Sequence, residues 1–219
     1  MKLQEKLDAF KSHFESKVAP REVVELFHRT TAELIATGQA ERSLKVGDVA
    51  PVFALSDAQG ERVSSEALLE RGPIVVVFYR GVWCPYCNID LQAIEEAADE
   101  LRSSGANLVA ISMQTAQNSL KSQRQNKLSF PILVDEGGKT ADAFGIRFRL
   151  QDDLIAAYKG FDVELPVING EPSWTLPMPA RYVIGQDGKI AYAEVSPDYT
   201  RRPDPSEIVP ALRRLASLV

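Results

Sequence analysis

The stretch Ile74–Cys87, IVVVFYRGVWCPYC, joins a continuous apolar run to both cysteines of the chain. Residues 74–79 are β-branched or aromatic and follow a Gly-Pro pair, a pattern typical of a strand buried on both faces. Pro85 suits the first position of a helix, because its missing N–H has no helical partner there. The sequence therefore predicts that Cys84 lies between a buried strand and the N-terminus of a helix.

The elements around this stretch alternate between helix and strand. Apolar periodicity predicts helices at 3–14, 21–37, 85–104, 115–127, 138–145 and 206–218, strands at 74–79, 107–112 and 130–135, and a hairpin at 180–195. Residues 147–176 contain Pro and Gly and are predicted to be an irregular insertion. Alternating β and α units indicate an α/β fold with a largely parallel sheet and helices on both faces.

Composition and charge exclude several classes of protein. The 219 residues are 45% hydrophobic and 25% charged, with a formal net charge of −5 and no basic block, which disfavours nucleic acid and anionic membrane as partners. No uncharged apolar segment approaches the length of a transmembrane helix. The charged stretch MKLQEKLDAFKSHFESK lacks the apolar core of a signal peptide, so a cytoplasmic protein is expected.

The cysteine pair has the spacing of a redox centre. Free N–H groups and the helix dipole at the start of a helix favour a thiolate at Cys84, and Arg80 adds positive charge nearby. Cys87 lies one turn further along and is expected to be more buried and less acidic. This asymmetry suits a reaction in which an exposed thiolate attacks and a nearby thiol resolves the product.

Other uses of two cysteines are weaker alternatives. Lasting structural disulfides are rare in the cytoplasm. A four-cysteine zinc site is excluded by count, and a mixed site would need His13 or His28 on the N-terminal helices, so neither a metal nor another cofactor is expected. A chemically inert pair of buried cysteines remains an alternative. Cys-x-x-Cys at a strand-to-helix junction favours the redox reading.

Three stretches carry a resemblance to a known family: VGDVAPVFALSDAQGERVSSEALLERGPIVVVFYRG (46–81), WCPYC (83–87) and PARYVIGQDGKIAYAEVSPDYTRRPDP (179–205). They resemble the thioredoxin superfamily and, within it, the peroxiredoxin-like branch of the alkyl hydroperoxide reductase / thiol-specific antioxidant (AhpC/TSA) family. The resemblance implies a thioredoxin-like fold at 45–219, with a central mixed sheet flanked by helices. Residues 1–44 are then an N-terminal helical extension.

The resemblance also implies roles for individual residues. Cys84 matches the attacking, peroxidatic cysteine and Cys87 the resolving one. Pro179 matches a cis-proline that faces the active cysteine, and Met178 before it would offer a backbone edge to a substrate disulfide. The implied activity is reduction of hydrogen peroxide or organic hydroperoxides, with a thioredoxin- or glutaredoxin-type dithiol as reductant.

Two departures from the family pattern keep a second function open. Peroxiredoxins carry threonine or serine three residues before the attacking cysteine and proline seven before it, where this chain has Gly81 and Val77. The family's later arginine falls at Pro179, so Arg181 or Arg80 would have to replace it. CPYC is the centre of glutaredoxins, and the alternative is therefore a thiol–disulfide oxidoreductase acting on protein or glutathione disulfides. A non-enzymatic redox sensor is a third hypothesis.

The surroundings of the pair are predicted less sharply. Trp83 and Pro85 flank the cysteines, and Tyr86 between them is expected to be exposed. Trp174 either lines the cleft or anchors the insertion, and residues 198–205 are read as the capped start of the last helix. The apolar stripe of the N-terminal helices is expected to pack on its own domain, with a homodimer contact as the alternative.

Overall fold

The computed structural model describes residues 2–217, with a mixed β-sheet at their centre. The strands are β1 (Ala54–Asp57), β2 (Arg62–Ser64), β3 (Ile74–Phe78), β4 (Asn107–Ser112), β5 (Ile132–Val134), β6 (Arg147–Arg149), β7 (Thr175–Pro177), β8 (Ala180–Ile184) and β9 (Ile190–Val195). The helices are α1 (Leu3–His13), α2 (Arg21–Ala36), α3 (Gln39–Arg42), α4 (Ser65–Leu69), α5 (Pro85–Glu96), α6 (Ala98–Ser103), α7 (Ala116–Gln125), α8 (Lys139–Ala143), α9 (Asp152–Gly160), α10 (Leu165–Asn169) and α11 (Val209–Ala216). A π-helical turn at Phe14–Val18 follows α1, and 3₁₀ turns cover Glu136–Gly138 and Pro205–Ile208.

Seven strands form one sheet in the order β2-β1-β5-β4-β3-β8-β9. Strands β3, β4 and β5 are parallel, and the other pairings are antiparallel. Strands β6 and β7 form a separate antiparallel pair. The predicted α/β fold with a central mixed sheet flanked by helices is confirmed. The sheet is less parallel than the alternation of elements alone indicates, because β1, β2 and the hairpin β8–β9 join it antiparallel.

Strand β3 is the centre of the core and is buried on both faces, as its apolar run predicts. Val75 and Val77 belong to one cluster, with side chains of α1, α5 and α11. Ile74, Val76 and Phe78 belong to the cluster on the other face of the sheet. Because both faces are packed, the end of β3 is fixed, and so is the loop that carries Cys84.

The segment 147–176 is more regular than predicted. It contains β6, α9, α10 and β7. Pro166 lies in the first turn of α10, a position where proline is tolerated, so it did not mark a break in structure. Strands β1 and β2 were not predicted, since they are only four and three residues long and each contains two polar residues.

Two predicted helices are divided in the structure. The helix expected at 85–104 is interrupted at Ala97, which separates α5 from α6. The helix expected at 206–218 begins as a 3₁₀ turn and continues as α11 to Ala216, and residue 218 lies outside the described residues.

The N-terminal helices pack on the rest of the chain. Leu3 and Leu7 of α1 are 2% and 0% exposed and share a core cluster with Leu91 and Ile94 of α5. The expectation that their apolar stripe is buried within its own chain agrees with this packing, and a homodimer stays a prediction. None of the helices within residues 2–217 has the length and apolar character needed to cross a lipid bilayer.

Candidate active site

Cys84 lies at the junction that the sequence predicts. It is the N-cap of α5, and Pro85 occupies the first helical position. The Cys84 N–H donates to the carbonyl of Gly81 (3.1 Å), which closes a tight turn after β3. Both cysteines are free thiols and both are buried, Cys84 at 1% and Cys87 at 0% exposure. The expectation of an exposed attacking sulfur is therefore wrong, because aromatic side chains from other parts of the chain cover it.

The two thiols differ strongly in acidity. Burial alone would raise the pKa of Cys84, but hydrogen bonds from the thiol and backbone N–H of Cys87, together with the charges of Arg80 and Arg202, lower it to about 6. The pKa of Cys87 is raised well above its ordinary value, because the thiol is buried and donates to Cys84. At neutral pH the pair therefore holds one thiolate, at Cys84, and one thiol, at Cys87.

Arg80 is the cation closest in sequence to the cysteines, and it is 3% exposed. Its guanidinium carbon lies 4.2 Å from the ring centroid of Tyr199, 4.8 Å from Trp83 and 5.7 Å from Tyr158. Within residues 2–217 its side chain forms one hydrogen bond, donated to the Tyr158 hydroxyl, and its Nε has no partner. A buried charge of this kind is available to a thiolate or to a bound polar group.

Arg181 has a structural position instead of the site role considered for it. It is fully buried and forms an ion pair with Asp90, one turn after Cys87 on α5, and it donates to the carbonyl of Pro203 (2.7 Å). Arg202 binds the other oxygen of Asp90 at 3.2 Å. Sequence reasoning missed Arg202, whose charge acts on both cysteines, because the segment 198–205 was read only as the start of a helix.

Gly81 does not line the pocket, but its conformation explains the departure from the family pattern. Its φ is +149°, outside the range that other residues readily adopt. A Cβ at this position would lie 2.6 Å from Nε1 of Trp83 and 3.3 Å from Oε1 of Gln114. Gln114 holds the same loop by accepting from the Val82 N–H (2.9 Å). The threonine or serine of the family has no room here.

Cys84 lines a pocket of about 260 Å³. Four of the predicted site residues line it with Cys84, namely Arg80, Trp83, Pro85 and Tyr86. The remaining lining is apolar or aromatic and was not predicted: Phe10, Phe14, Phe27, Tyr158, Phe161, Val163 and Tyr199. The only signal in the sequence was the pair of phenylalanines four residues apart in the N-terminal extension, which lie on one helix face.

Tyr86 is buried rather than exposed, at 6%. Its ring meets Phe10 edge-to-face at 5.0 Å and Tyr199 at 5.5 Å. The helix α1 therefore covers the side chain between the cysteines, which explains why the prediction from the local sequence was wrong. Trp174 is not among the lining residues, and it packs with the cluster around Leu165 in the segment 147–176.

Met178 and Pro179 do not provide the expected docking edge. The residues 2–217 contain no cis peptide bond, so the cis prediction for Pro179 is wrong. Met178 is fully buried, and its N–H donates to the carbonyl of Ile146 (2.8 Å). Both residues line a small cavity of about 30 Å³ that they share with Arg80. The backbone edge meant for a substrate disulfide is already paired with the chain's own segment before β6.

Comparison with known proteins agrees with this geometry. A family model described as the AhpC/TSA family matches residues 46–193, more than half of the chain. The chain belongs to the AhpC/TSA family. The match includes both cysteines and Arg80 but not the first 45 residues, and so it leaves out Phe10, Phe14 and Phe27.

Individual relatives are more distant and match only in part. Peroxiredoxin Bcp of Escherichia coli is 29% identical over 103 residues, which cover 47% of this chain and 65% of that protein. The thiol-disulfide oxidoreductase ResA of Halalkalibacterium halodurans is 33% identical over 112 residues, covering 49% of this chain and 61% of that protein. The chain thus spans somewhat less than two thirds of the length of these two relatives.

Solved structures share the fold. Peroxidoxin BcpB from Mycobacterium tuberculosis superimposes with a TM-score of 0.62 at 22% identity, covering 80% of this chain and 99% of that one. A peroxiredoxin-like protein from Aquifex aeolicus superimposes with a TM-score of 0.60 at 18% identity, covering 79% of this chain and 88% of that one. These similarities confirm the peroxiredoxin type of thioredoxin-like fold.

Proposed function

We propose that this chain is a thiol peroxidase that reduces hydroperoxides at Cys84. The observation that carries the proposal is that an acidic thiol, Cys84, and a buried arginine, Arg80, line one pocket in a chain of the AhpC/TSA family. A thiolate is the nucleophilic form of cysteine, and a fixed positive charge favours both the thiolate and the oxyanion that leaves. The named peroxiredoxin relative supports the same function.

In the first step the Cys84 thiolate attacks the terminal oxygen of the hydroperoxide. An S–O bond forms as the O–O bond breaks, so that sulfur is oxidised by two electrons and the peroxide is reduced by two. The leaving oxygen takes a proton from solvent and departs as water or as an alcohol. Arg80 stabilises the negative charge as it moves from sulfur to that oxygen, and Cys84 is left as a sulfenic acid.

In the second step the Cys87 sulfur attacks the Cys84 sulfur. The S–S bond forms, and hydroxide leaves with the proton of the Cys87 thiol as water. The raised pKa of Cys87 supports this role, because it keeps that proton on the thiol until the sulfenic acid has formed. An external dithiol of the thioredoxin or glutaredoxin type then reduces the disulfide by two exchange reactions. That reductant and a cytoplasmic location are parts of the proposal.

Disulfide exchange with a protein substrate is the alternative, raised by CPYC and by the ResA relative. It requires that an extended substrate pair with the backbone beside the cysteines. The Met178 N–H already donates to Ile146, and both sulfurs are covered, so the geometry favours a small substrate. Reduction of insulin by this chain much faster than by a free dithiol would support the alternative instead.

Stopped-flow oxidation of the reduced protein tests the peroxidase. We expect Cys84 to react with hydroperoxides at least about 100-fold faster than a free thiol, the scale of one well-placed oxyanion stabiliser. Cys87→Ser should retain this reaction and accumulate a sulfenic acid that dimedone traps, while Cys84→Ser should be inert. A wild-type rate no higher than that of free cysteine, at matched thiolate concentration, would refute the proposal.

A further inference from the structure

Three aromatic side chains of the N-terminal extension complete the pocket above Cys84. Phe10, Phe14 and Phe27 all line it, and all three precede the residues that match the family model. The extension is not loosely attached, since Leu3 and Leu7 of α1, the helix that carries Phe10, are buried in the core. The pocket therefore has a wall that the family domain alone does not supply.

The rings of this wall form an ordered apolar surface. Phe14 and Phe27 stack nearly parallel, with centroids 6.3 Å apart and planes 2° from each other. Phe161, which follows α9 and lies within the residues that match the family, is not part of this wall but extends its surface, at 6.0 Å from Phe14 and 6.3 Å from Phe27. Such spacings are typical of aromatic contacts, and a further ring or a branched alkyl group can pack against them.

The side of the pocket formed by Arg80, Trp83 and Cys84, called the floor here, carries polar groups, whereas the wall is apolar. Among the residues 2–217, neither the buried Nε of Arg80 nor the buried Nε1 of Trp83 finds a hydrogen-bond partner. Both residues line the pocket with Cys84. A ligand that suits this arrangement has a small polar end for the floor and an apolar body for the wall.

The pocket is much larger than hydrogen peroxide. About 260 Å³ corresponds to roughly nine times the volume of one water molecule in the liquid. Hydrogen peroxide has two heavy atoms and would leave most of that space to water against aromatic rings. A hydroperoxide with a carbon body of about ten heavy atoms would displace that water and bury its apolar surface.

We propose that the N-terminal extension is a substrate-binding element that selects organic hydroperoxides with an aromatic or branched apolar body. The inference rests on the proposed peroxidase function. The hydroperoxyl group lies at Cys84 and Arg80, and the carbon body packs against Phe14, Phe27 and Phe161. The chemistry is the thiolate attack described above, with the alcohol of the same carbon body as the product.

Oxidation of the reduced protein by two substrates tests the selection without any external reductant. The second-order rate constants with cumene hydroperoxide and with hydrogen peroxide are measured by stopped flow, and their ratio is the readout. We expect the wild type to prefer cumene hydroperoxide by about tenfold or more, the scale of discrimination in an apolar pocket. Phe27→Ala and Phe14→Ala should each lower the ratio by about tenfold, and Phe27→Leu should restore part of it.

A matched control comes from the same extension. Val18 is 53% exposed and does not line the pocket, so Val18→Ala should leave the ratio unchanged. The inference would be overturned, with the peroxidase function intact, if the wild type reacted with cumene hydroperoxide no faster than with hydrogen peroxide. It would also be overturned if the phenylalanine variants left the ratio of the two rate constants unchanged. Rates with both peroxides at the level of free cysteine would instead refute the peroxidase, and the inference with it.

A binding measurement provides a readout that does not depend on turnover. Cumyl alcohol, the product expected from cumene hydroperoxide, is titrated into the reduced protein by calorimetry. We expect saturable binding that Phe27→Ala weakens by about tenfold and Val18→Ala does not change. Absence of binding to the wild type would also overturn the inference.

Discussion

The floor and the wall of the pocket are built on different principles. The floor is formed by Arg80, the loop to Cys84 and the first turn of α5. Charges and hydrogen bonds there stabilise the thiolate of Cys84. The wall is formed by Phe10, Phe14 and Phe27, whose contacts in the pocket are ring against ring. The floor lies within the residues that match the AhpC/TSA family, and the wall lies outside them.

This difference separates two kinds of effect. A change in the floor alters the nucleophile and should act on every hydroperoxide alike. A change in the wall alters only what the body of the substrate contacts, and should act on one substrate more than another. The two kinds of effect can be measured on one pocket only if the proposed extension, residues 1–44, folds as one unit with the domain at 45–219.

The largest expected effect tests that condition. Leu7 of α1 is fully buried against the core, and Leu7→Ala should lower the free energy of unfolding by about 2–5 kcal/mol. Chemical denaturation, followed by both fluorescence and circular dichroism, should show one shared transition. Val18→Ala, at an exposed position, should change stability by less than about 0.5 kcal/mol. Two separate transitions would mean that wall and floor are independent units.

The next prediction places the family's hydroxyl back in the floor. Gly81→Thr combines a φ of +149° with a Cβ 2.6 Å from Trp83, and should cost about 2–4 kcal/mol of stability. We expect no gain in the rate with any peroxide, because the loop before Cys84 must shift. Gly47→Thr separates backbone strain from steric clash, since Gly47 also has a positive φ but a Cβ at this position would meet no atom of the residues 2–217 within 4 Å, chain neighbours aside. A stable and faster Gly81→Thr would contradict this account.

Arg80 gives the clearest test of a pure floor effect. Arg80→Gln removes the charge that faces Cys84, and the pKa of Cys84 should rise by about 1–2 units. The rate constants with cumene hydroperoxide and hydrogen peroxide should both fall by about 10- to 100-fold at pH 7, with little change in their ratio. Arg62→Gln, at an exposed position, is the control. If Arg80→Gln lowered the rate constant with only one of the two peroxides, Arg80 would act on the body of the substrate, as the wall residues are expected to do.

The floor could largely be predicted from sequence because its determinants are local. A buried strand, a cysteine and a proline within fourteen residues place Cys84 at the start of α5, and the structure has the same junction. The prediction that Cys84 is more acidic than Cys87 agrees with the directions of both pKa shifts, but the charge of Arg202, which acts on both thiols, was not predicted. The resemblance added the family, which the comparisons confirm.

The wall could not be predicted because its residues meet only in the folded chain. Phe14 is 70 residues before Cys84 in sequence, and Phe27 is 57 residues before it. The exposure predicted for Tyr86 was wrong for the same reason, since Phe10 covers it from another helix. Met178 was predicted to have a free backbone edge, but its N–H donates to Ile146, a residue for which no element was predicted. Tertiary contacts decided all of these positions.

The smallest predicted effect concerns the hydrogen bond between the two cysteines. Because the pKa of Cys84 is lowered to about 6, the thiolate fraction falls as pH falls through 6 and is nearly complete above about 7. The rate of alkylation by iodoacetamide should therefore rise about tenfold per pH unit below 6 and then level off. An alkylation pKa near that of a free thiol would refute this description of the floor.

Variants at Cys87 sharpen this test, because they remove one hydrogen bond at a time. Cys87→Ala loses the side-chain donor to Cys84 but keeps the backbone N–H, so the alkylation pKa should rise by roughly one unit. Cys87→Ser keeps a hydroxyl donor and should give a smaller rise. The ratio of cumene hydroperoxide to hydrogen peroxide rates, measured on either variant, should stay that of the wild type, since the wall is untouched. An alkylation pKa that neither variant changes would assign the acidity of Cys84 to Arg80, Arg202 and the backbone alone.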